Sequence, residues 1–261
     1  MSAILVHAKM ADIKNIYVLN SFKGNLMPQN QKKILLKVSG EIFSTNRTQS
    51  QNTYESIITE LKKLKNEYSF SFVIGGGNFF RGAKEGKQLN LPNKESDEIG
   101  MLATLLNAKI LRSKLTQNNI KSTILSSIYC PQYSTPISQE TIEKALEGKN
   151  LIIFAGGTGN PYFSTDTNAV IRALQIGASE VWKLTKVDGI YEEDPLKNPS
   201  AKLIKKLSYQ EALNKKIAVV DTTAIILAEK ENLKIRVFNF ETPNCLEKAN
   251  KDNSFGSQIS F

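Results

Sequence analysis

The sequence has 261 residues, of which 41% are hydrophobic and 23% are charged, so collagen-like, mucin-like and wholly disordered chains are excluded. A chain of this length buries enough surface to need neither disulfides nor a structural metal. The 34 Lys and Arg exceed the 25 Asp and Glu for a formal net charge of +9, but few of the 34 are Arg and these are scattered, so direct nucleic-acid binding is not expected.

The chain divides into a short irregular start and one long patterned region. Residues 1–31 are interpreted as an N-terminal extension that need not be ordered. Residues 32–261 carry a regular pattern with no internal repeat and no linker, which predicts a single domain.

Within the patterned region, apolar β-branched runs alternate with segments of helical spacing. Strands are predicted over 34–38, 70–74, 122–128, 151–155, 180–185 and 234–240. Helices are predicted over 54–67, 97–117, 138–146, 166–176, 208–215 and 222–231. Ser208 and Glu211 have the spacing of a capping box. The alternation predicts an α/β fold, a three-layer α/β/α sandwich around a mainly parallel sheet.

Three glycine-bearing segments directly follow predicted strands. They are KVSGE (37–41), GGGNFFRG (75–82) and GGTGNP (156–161). Because the carboxyl ends of parallel strands meet at one edge of a sheet, we expect all three at the ligand-binding edge. Glycine there lets main-chain N–H groups approach a phosphate. The sequence has no GxxxxGK[ST] and no GxGxxG with a downstream acid, so another kind of phosphate site is predicted.

Histidine and cysteine are too rare to carry the chemistry. The single histidine, His7, precedes the first predicted strand, which excludes Ser-His-Asp and Cys-His catalysis and His-ligated zinc from the rest of the chain. Two cysteines, Cys130 and Cys245, fit a reducing compartment. Since no apolar run reaches about 18 residues, we expect a cytoplasmic protein without a membrane-spanning helix.

Several segments between about Lys33 and Phe240 carry a resemblance to a known family. They are ILLKVSGE, FVIGGGNFFRG, DEIGMLATLLNA, GGTGNPYFSTDTNAVIRA, KLTKVDGIYEEDP and VVDTTAIILAEKENLKIRVFNF. In order and spacing they resemble the bacterial uridylate (UMP) kinases of the amino acid kinase superfamily. The resemblance implies an amino acid kinase-like domain over 32–261 that transfers the γ-phosphoryl group of ATP to UMP, giving UDP and ADP for pyrimidine nucleotide synthesis. It also implies Mg²⁺ carried mainly by the ATP phosphates, without a protein metal ligand, and a homo-oligomer, by resemblance a hexamer.

The resemblance also assigns roles to residues. Those implied for catalysis are Lys37, Arg81, Asp166 and Lys183, with Asp166 orienting the two lysines. Those implied for ATP binding are Lys37, Val38, Ser39, Gly40, Gly77, Arg81, Thr185, Tyr191 and Asp194. Those implied for UMP binding are Gly76, Asp97, Thr158, Gly159, Asn160, Pro161, Tyr162, Phe163, Ser164 and Thr165. Lys186 is interpreted as peripheral and Asp221 as structural.

Other interpretations of these residues and of the chain stay open. Lys37 could be a solvated strand end, and Asp97 and Asp166 could be helix N-caps. A carboxylate kinase such as acetylglutamate or aspartate kinase would share the fold, and so would a catalytically silent, nucleotide-sensing or DNA-associated regulator. The polar segment IFSTNRTQSQN (42–52) lacks the glycine that relatives often carry there in a loop linked to GTP regulation.

Overall fold

The alternation of strands and helices is present in the computed structural model, which describes residues 31–43, 47–195 and 197–261. For residues 47–53 the structure describes the backbone only. The interpretation of residues 1–31 as an extension therefore lies outside the described residues, apart from Gln31. In the glycine-free segment 42–52, residues 44–46 and the side chains of 47–52 also lie outside the described part.

A sheet of nine strands forms the middle layer. Its strands are β1 (Lys32–Val38), β2 (Tyr68–Ile74), β3 (Ser122–Ser126), β4 (Thr135–Pro136), β5 (Leu151–Ala155), β6 (Glu180–Thr185), β9 (Lys206–Leu207), β10 (Lys234–Asn239) and β11 (Ser257–Ile259). Their order is β4-β3-β5-β2-β1-β6-β10-β11-β9, and all neighbours are parallel except β10 and β11. Two further strands, β7 (Ile190–Tyr191) and β8 (Leu203–Ile204), form a separate antiparallel ribbon.

Helices connect the strands. They are α1 (Arg47–Leu64), α2 (Asn93–Gln117), α3 (Gln139–Glu147), α4 (Thr165–Ile176), α5 (Tyr209–Asn214), α6 (Thr222–Lys230) and α7 (Cys245–Lys251), with a 3₁₀ turn at Gly40–Phe43 and a π turn at Gly82–Gly86. None of the helices in the described ranges is long and apolar enough to cross a membrane.

Two hydrophobic clusters lie between the sheet and the helices, one on each face of the sheet. One cluster joins alternate strand residues such as Leu36 and Trp182 to α1, α2 and α7. The other joins the intervening residues, such as Leu35 and Val181, to α3, α4, α5 and α6. Because strand side chains alternate between faces, each central strand contributes to both clusters. The three-layer sandwich with a mainly parallel sheet is confirmed.

The boundaries and the shortest elements differ from the sequence prediction. Helix α2 begins at Asn93, directly after Pro92, rather than at Asp97. Helix α1 begins at Arg47 rather than at Tyr54. The sequence prediction placed its start too late because the first turns are polar and show no apolar period. The sequence pattern missed α7 and strands β4, β7, β8, β9 and β11, which are too short for periodicity to be recognised. The capping box of Ser208 and Glu211 is present at α5.

Candidate active site

Two lysines lie side by side on the sheet face that α4 covers. Lys37 near the end of β1 and Lys183 in β6 are register partners on neighbouring parallel strands. The two-residue period places them on the same face as Leu35 and Val181. Each lysine is only 9% exposed. Two ammonium groups buried this close together repel each other, so the arrangement requires an anion.

That anion is Asp166, in the first turn of α4. Its Oδ1 lies 2.6 Å from Lys37 Nζ, and its Oδ2 accepts a hydrogen bond from Lys183 Nζ. Lys183 also donates to the Val219 carbonyl. The N-cap of α4 is Ser164, whose hydroxyl accepts from the Asp166 and Thr167 N–H groups, so Asp166 is not the cap. The carboxylate is therefore free to bridge the two lysines.

The charges of this cluster shift its pKa values. Burial alone would raise the pKa of Asp166, but the two lysines outweigh it and lower the pKa to about 2. Burial lowers the pKa of Lys183 to about 8, helped by the Lys37 charge and opposed by Asp166. Asp166 is thus an ionised carboxylate across the neutral pH range and a poor proton acceptor there.

A cleft of about 330 Å³ opens beside Lys37. The three glycine segments and the start of α2 surround it, as the strand topology predicts for this edge of the sheet. Its lining residues are Lys37, Ser39, Gly40, Gly75, Gly76, Gly77, Phe80, Arg81, Gly82, Ser96, Asp97, Gly100, Met101, Thr104, Gly157, Phe163, Ser164 and Thr165. A phosphate-rich ligand would meet cations and main-chain N–H groups there.

A buried amide of α2 is hydrogen-bonded to the second glycine segment and lies against the first. Asn107 Nδ2 donates to the Gly75 carbonyl and to Asn78 Oδ1, at 2.7 Å each. Gly40 lies against the same group: a Cβ there would be 2.6 Å from the Gly75 carbonyl oxygen and 2.8 Å from Asn107 Nδ2. Only glycine fits this contact. Sequence reasoning missed Asn107, although a polar residue on the buried stripe of α2 is a usable signal.

Arg81 is held at the rim of the cleft by two partners. Its Nε donates to the Gly77 carbonyl at 3.1 Å, and its guanidinium forms an ion pair with Glu41. Lys186 Nζ lies 2.9 Å from the other Glu41 oxygen. The Arg81 and Lys186 side chains are half exposed, so these ion pairs contribute little to stability. Sequence reasoning missed Glu41. Its carboxylate brings Lys186 next to the site.

The loop before α4 is shaped by its main chain. Gly156, Gly157 and Gly159 have φ values of +77°, +59° and +83°, a backbone region that favours glycine. Asp97, the fifth residue of α2, accepts a hydrogen bond from the Tyr162 N–H at 2.7 Å and so holds the far end of the loop. Asp97 is therefore not the N-cap of α2, a position that Pro92 occupies.

Asp221 connects the starts of two helices. Its carboxylate caps α6 through the Ala224 N–H at 2.8 Å. It also accepts hydrogen bonds from the hydroxyls of Ser164 and Thr167 at the start of α4. This structural role fixes the helix that carries Asp166.

Comparisons with known proteins establish the family. Residues 32–239 match the amino acid kinase family. The chain belongs to that family.

Its relatives of similar length include uridylate kinases. The uridylate kinase of Mycoplasma genitalium is 39% identical over 230 residues, which cover 86% of this chain and 94% of the relative. That of Legionella pneumophila (strain Paris) is 40% identical over 221 residues, covering 83% and 89%. The UMP kinase structure from Ureaplasma parvum has a TM-score of 0.81 and 32% identity, covering 89% of this chain and all of that one. The similarity to each of these proteins covers more than four fifths of the chain.

The residues assigned by resemblance fall into three groups. The cleft gathers ten of them: Lys37, Ser39, Gly40, Gly76, Gly77, Arg81, Asp97, Phe163, Ser164 and Thr165. Asp166 and Lys183 adjoin it through Lys37. The remaining residues do not line it: Val38, Thr158, Gly159, Asn160, Pro161, Tyr162, Thr185, Tyr191 and Asp194.

Those outside the cleft have different surroundings. Val38 is a core residue, and its carbonyl already accepts from the Gly75 N–H at 2.9 Å. Thr185 ends β6 and Tyr191 lies in β7, beyond the ends of the central strands. Asp188, between these two strands, accepts a hydrogen bond from Asn239 Nδ2 at the end of β10, at 3.0 Å.

Proposed function

We propose that this amino acid kinase family member is a UMP kinase, which transfers the γ-phosphoryl group of ATP to UMP and releases UDP and ADP. The observation that carries the proposal is the buried Lys37–Asp166–Lys183 cluster beside a glycine-walled cleft. The names of the uridylate kinase relatives support UMP as the acceptor.

The cluster suits phosphoryl transfer because negative charge spreads over the transferring group. A phosphate oxygen of UMP attacks the γ-phosphorus, and the bond to the oxygen bridging the β- and γ-phosphorus breaks, leaving ADP. The two lysines stabilise the charge on the transferring oxygens. A UMP phosphate oxygen is already anionic at neutral pH, so no base has to remove a proton. Asp166 therefore acts by holding the lysines in place.

Magnesium would accompany ATP in this scheme. In the described chain no group of three or more His, Cys, Asp and Glu is arranged to hold a metal ion. Asp166 is engaged by two lysines and Glu41 by Arg81 and Lys186, so the cleft offers mainly cations and N–H groups, which fit phosphate oxygens. Bound through the ATP phosphates, Mg²⁺ would neutralise part of their charge.

The two substrates would occupy opposite sides of the cluster. Gly76, Asp97 and the loop 158–165 would hold UMP, with Tyr162 and Phe163 offering exposed aromatic surface to the base. Ser39, Gly40, Gly77 and Arg81 would hold the ATP phosphates. Thr185 at the end of β6, Tyr191 at the end of β7 and Asp194 beyond it would lie on the adenosine side.

The chain would work as a homo-oligomer, by resemblance a hexamer, in cytoplasmic pyrimidine nucleotide synthesis. Ile99, Leu102 and Leu106 lie three and four residues apart on α2, and each is at least 36% exposed. An exposed apolar stripe on one side of a helix is typical of a surface that another protein covers. A second copy of the chain, packing helix against helix, would cover it.

The test is an ADP-release assay with Mg-ATP and one acceptor at a time. UMP, CMP, dTMP, N-acetylglutamate and aspartate are compared, with Asp166→Asn protein as the control for contaminating kinases. The proposal expects turnover with UMP far above the other acceptors. Turnover with a carboxylate alone would instead support a carboxylate kinase, and silence of the folded protein with every acceptor would support a regulator.

A further inference from the structure

An arginine in α4 is buried without an anionic partner. Arg172 is 6% exposed, and no carboxylate in the described residues forms an ion pair with it. Its Nε donates to Asn168 at 3.1 Å and its Nη1 donates to Gln175 at 2.7 Å. Its guanidinium also lies over the Phe154 ring, 5.8 Å from the centroid. Burying a cation among neutral groups is costly, so the contact that the third nitrogen, Nη2, makes is important.

That nitrogen begins a chain of two hydrogen bonds that ends on the glycine loop. Arg172 Nη2 lies 2.8 Å from Ser127 Oγ, and Ser127 Oγ lies 3.0 Å from the Gly157 carbonyl oxygen. The direction is fixed by chemistry, since a guanidinium only donates and a carbonyl only accepts. The Ser127 hydroxyl therefore accepts from Arg172 and donates to Gly157. A donor that is itself bonded to a cation is a stronger donor.

The glycine loop is held on both sides at this point. The Gly156 N–H donates to the Thr104 hydroxyl of α2 at 2.8 Å. A Cβ on Gly157 would lie 2.9 Å from Met101 Cγ, so the loop passes closely between α2 and Ser127. The loop is thus clamped through its main chain rather than through side chains.

The clamp sets the orientation of one peptide group. The Gly157–Thr158 peptide is trans, so its C=O and N–H point in opposite directions. With the carbonyl bonded to Ser127, the Thr158 N–H points away from Ser127. Among the described residues this N–H has no hydrogen-bond acceptor. Gly157 itself lines the cleft.

We propose that Arg172 and Ser127 form a relay that fixes the Gly157–Thr158 peptide and presents the Thr158 N–H to an oxygen of the acceptor nucleotide. The inference rests on the proposed function, because it assigns this loop to UMP. Ser127 and Arg172 are positioning residues, since they touch the loop and not the substrate. The relay makes affinity for the acceptor depend on a hydroxyl outside the cleft.

Steady-state kinetics of Ser127→Ala protein test the relay. Loss of one hydrogen bond to the loop should raise KM for UMP roughly 3- to 10-fold, with KM for ATP unchanged. The matched control is Ser134→Ala: Ser134 lies in the same connection and also donates to a main-chain carbonyl, that of Cys130, at 3.1 Å. We expect wild-type KM values from the control.

A double-mutant cycle keeps the test independent of general destabilisation. If the two residues act in series, Arg172→Lys should raise KM for UMP in the wild-type background and have little further effect in Ser127→Ala. A Ser127→Ala variant that matches Ser134→Ala, or equal changes in both KM values, would overturn the relay. Wild-type protein that does not use UMP would instead refute the proposed function itself.

Discussion

The lysine cluster and the glycine loop hold their shapes by opposite means. Around Asp166, side-chain charges are buried and paired, and their positions follow from strand register and the first turn of α4. In the loop 156–165 the main chain is held by Thr104, Ser127 and Asp97, while Tyr162 and Phe163 are at least half exposed. Changes in the cluster should therefore reduce turnover, whereas changes in the loop should weaken binding of the acceptor nucleotide.

The largest effect is expected from Asp166→Asn. Without the carboxylate, Lys37 and Lys183 repel each other and lose the orientation that phosphoryl transfer needs. We expect kcat to fall about 10²- to 10³-fold, as when one preorganised charge contact is lost from an active site. The measurement is kcat at saturating ATP and UMP, with circular dichroism to check the fold. Asp252→Asn, an exposed carboxylate far along the chain, is the control, and near wild-type kcat from Asp166→Asn would contradict the assigned role.

The second largest effect is expected from Gly156→Ala, which changes the loop itself. Its φ of +77° is strained for alanine, and a Cβ would lie 2.8 Å from the Ile128 nitrogen. Strain of about 1–3 kcal/mol would lower kcat/KM for UMP roughly 10- to 100-fold if the loop shifts to relieve it. KM for ATP should change little. Gly148→Ala, at a glycine with ordinary φ, is the control, and an equal loss for both substrates would show that the two regions are not separable.

Asp97→Asn should have a smaller effect on the same side. An amide oxygen can still accept from the Tyr162 N–H, but without the charge that strengthens the present 2.7 Å bond. We expect KM for UMP to rise about 10-fold, with kcat within a factor of about three. Glu98→Gln, at the neighbouring and partly exposed carboxylate, serves as the control. A fall in kcat alone would place Asp97 with the lysine cluster instead.

The smallest effect is a pH dependence set by Lys183. Because burial and the Lys37 charge lower its pKa to about 8, Lys183 loses its proton above that pH and stops contributing charge. At pH 8.5, kcat/KM for ATP should be roughly fourfold below its neutral plateau. Lys183→Arg, which keeps its charge there, should lack this alkaline decline. The same decline in both proteins would assign it to another group.

The sequence predicted those parts of the fold that depend on period and length. The six main strands and their helices follow from apolar periodicity, and the strand-end glycines correctly predict a common edge. The two-residue strands carry too few residues to show a period, and Pro92 was a start signal for α2 that periodicity alone did not use. Of the site, Lys37, Asp166 and Lys183 could be named through the resemblance.

The contacts that hold the site in shape could not be predicted from the sequence. Asn107, Glu41 and Ser127 act through partners 29, 40 and 30 residues away, namely Asn78, Arg81 and Gly157. Such pairings depend on how α2 and the strand ends approach each other, and no local pattern records that approach. Polar residues on the buried stripe of α2, such as Thr104 and Asn107, were the only local signal.

³¹P NMR of the wild-type protein with Mg-ATP and UMP follows the transfer of the phosphoryl group itself. We expect the ATP γ-phosphate signal to disappear as UDP and ADP appear in equal amounts, with almost no change when UMP is omitted. Release of inorganic phosphate in place of UDP, or an unchanged spectrum from folded protein, would contradict this expectation.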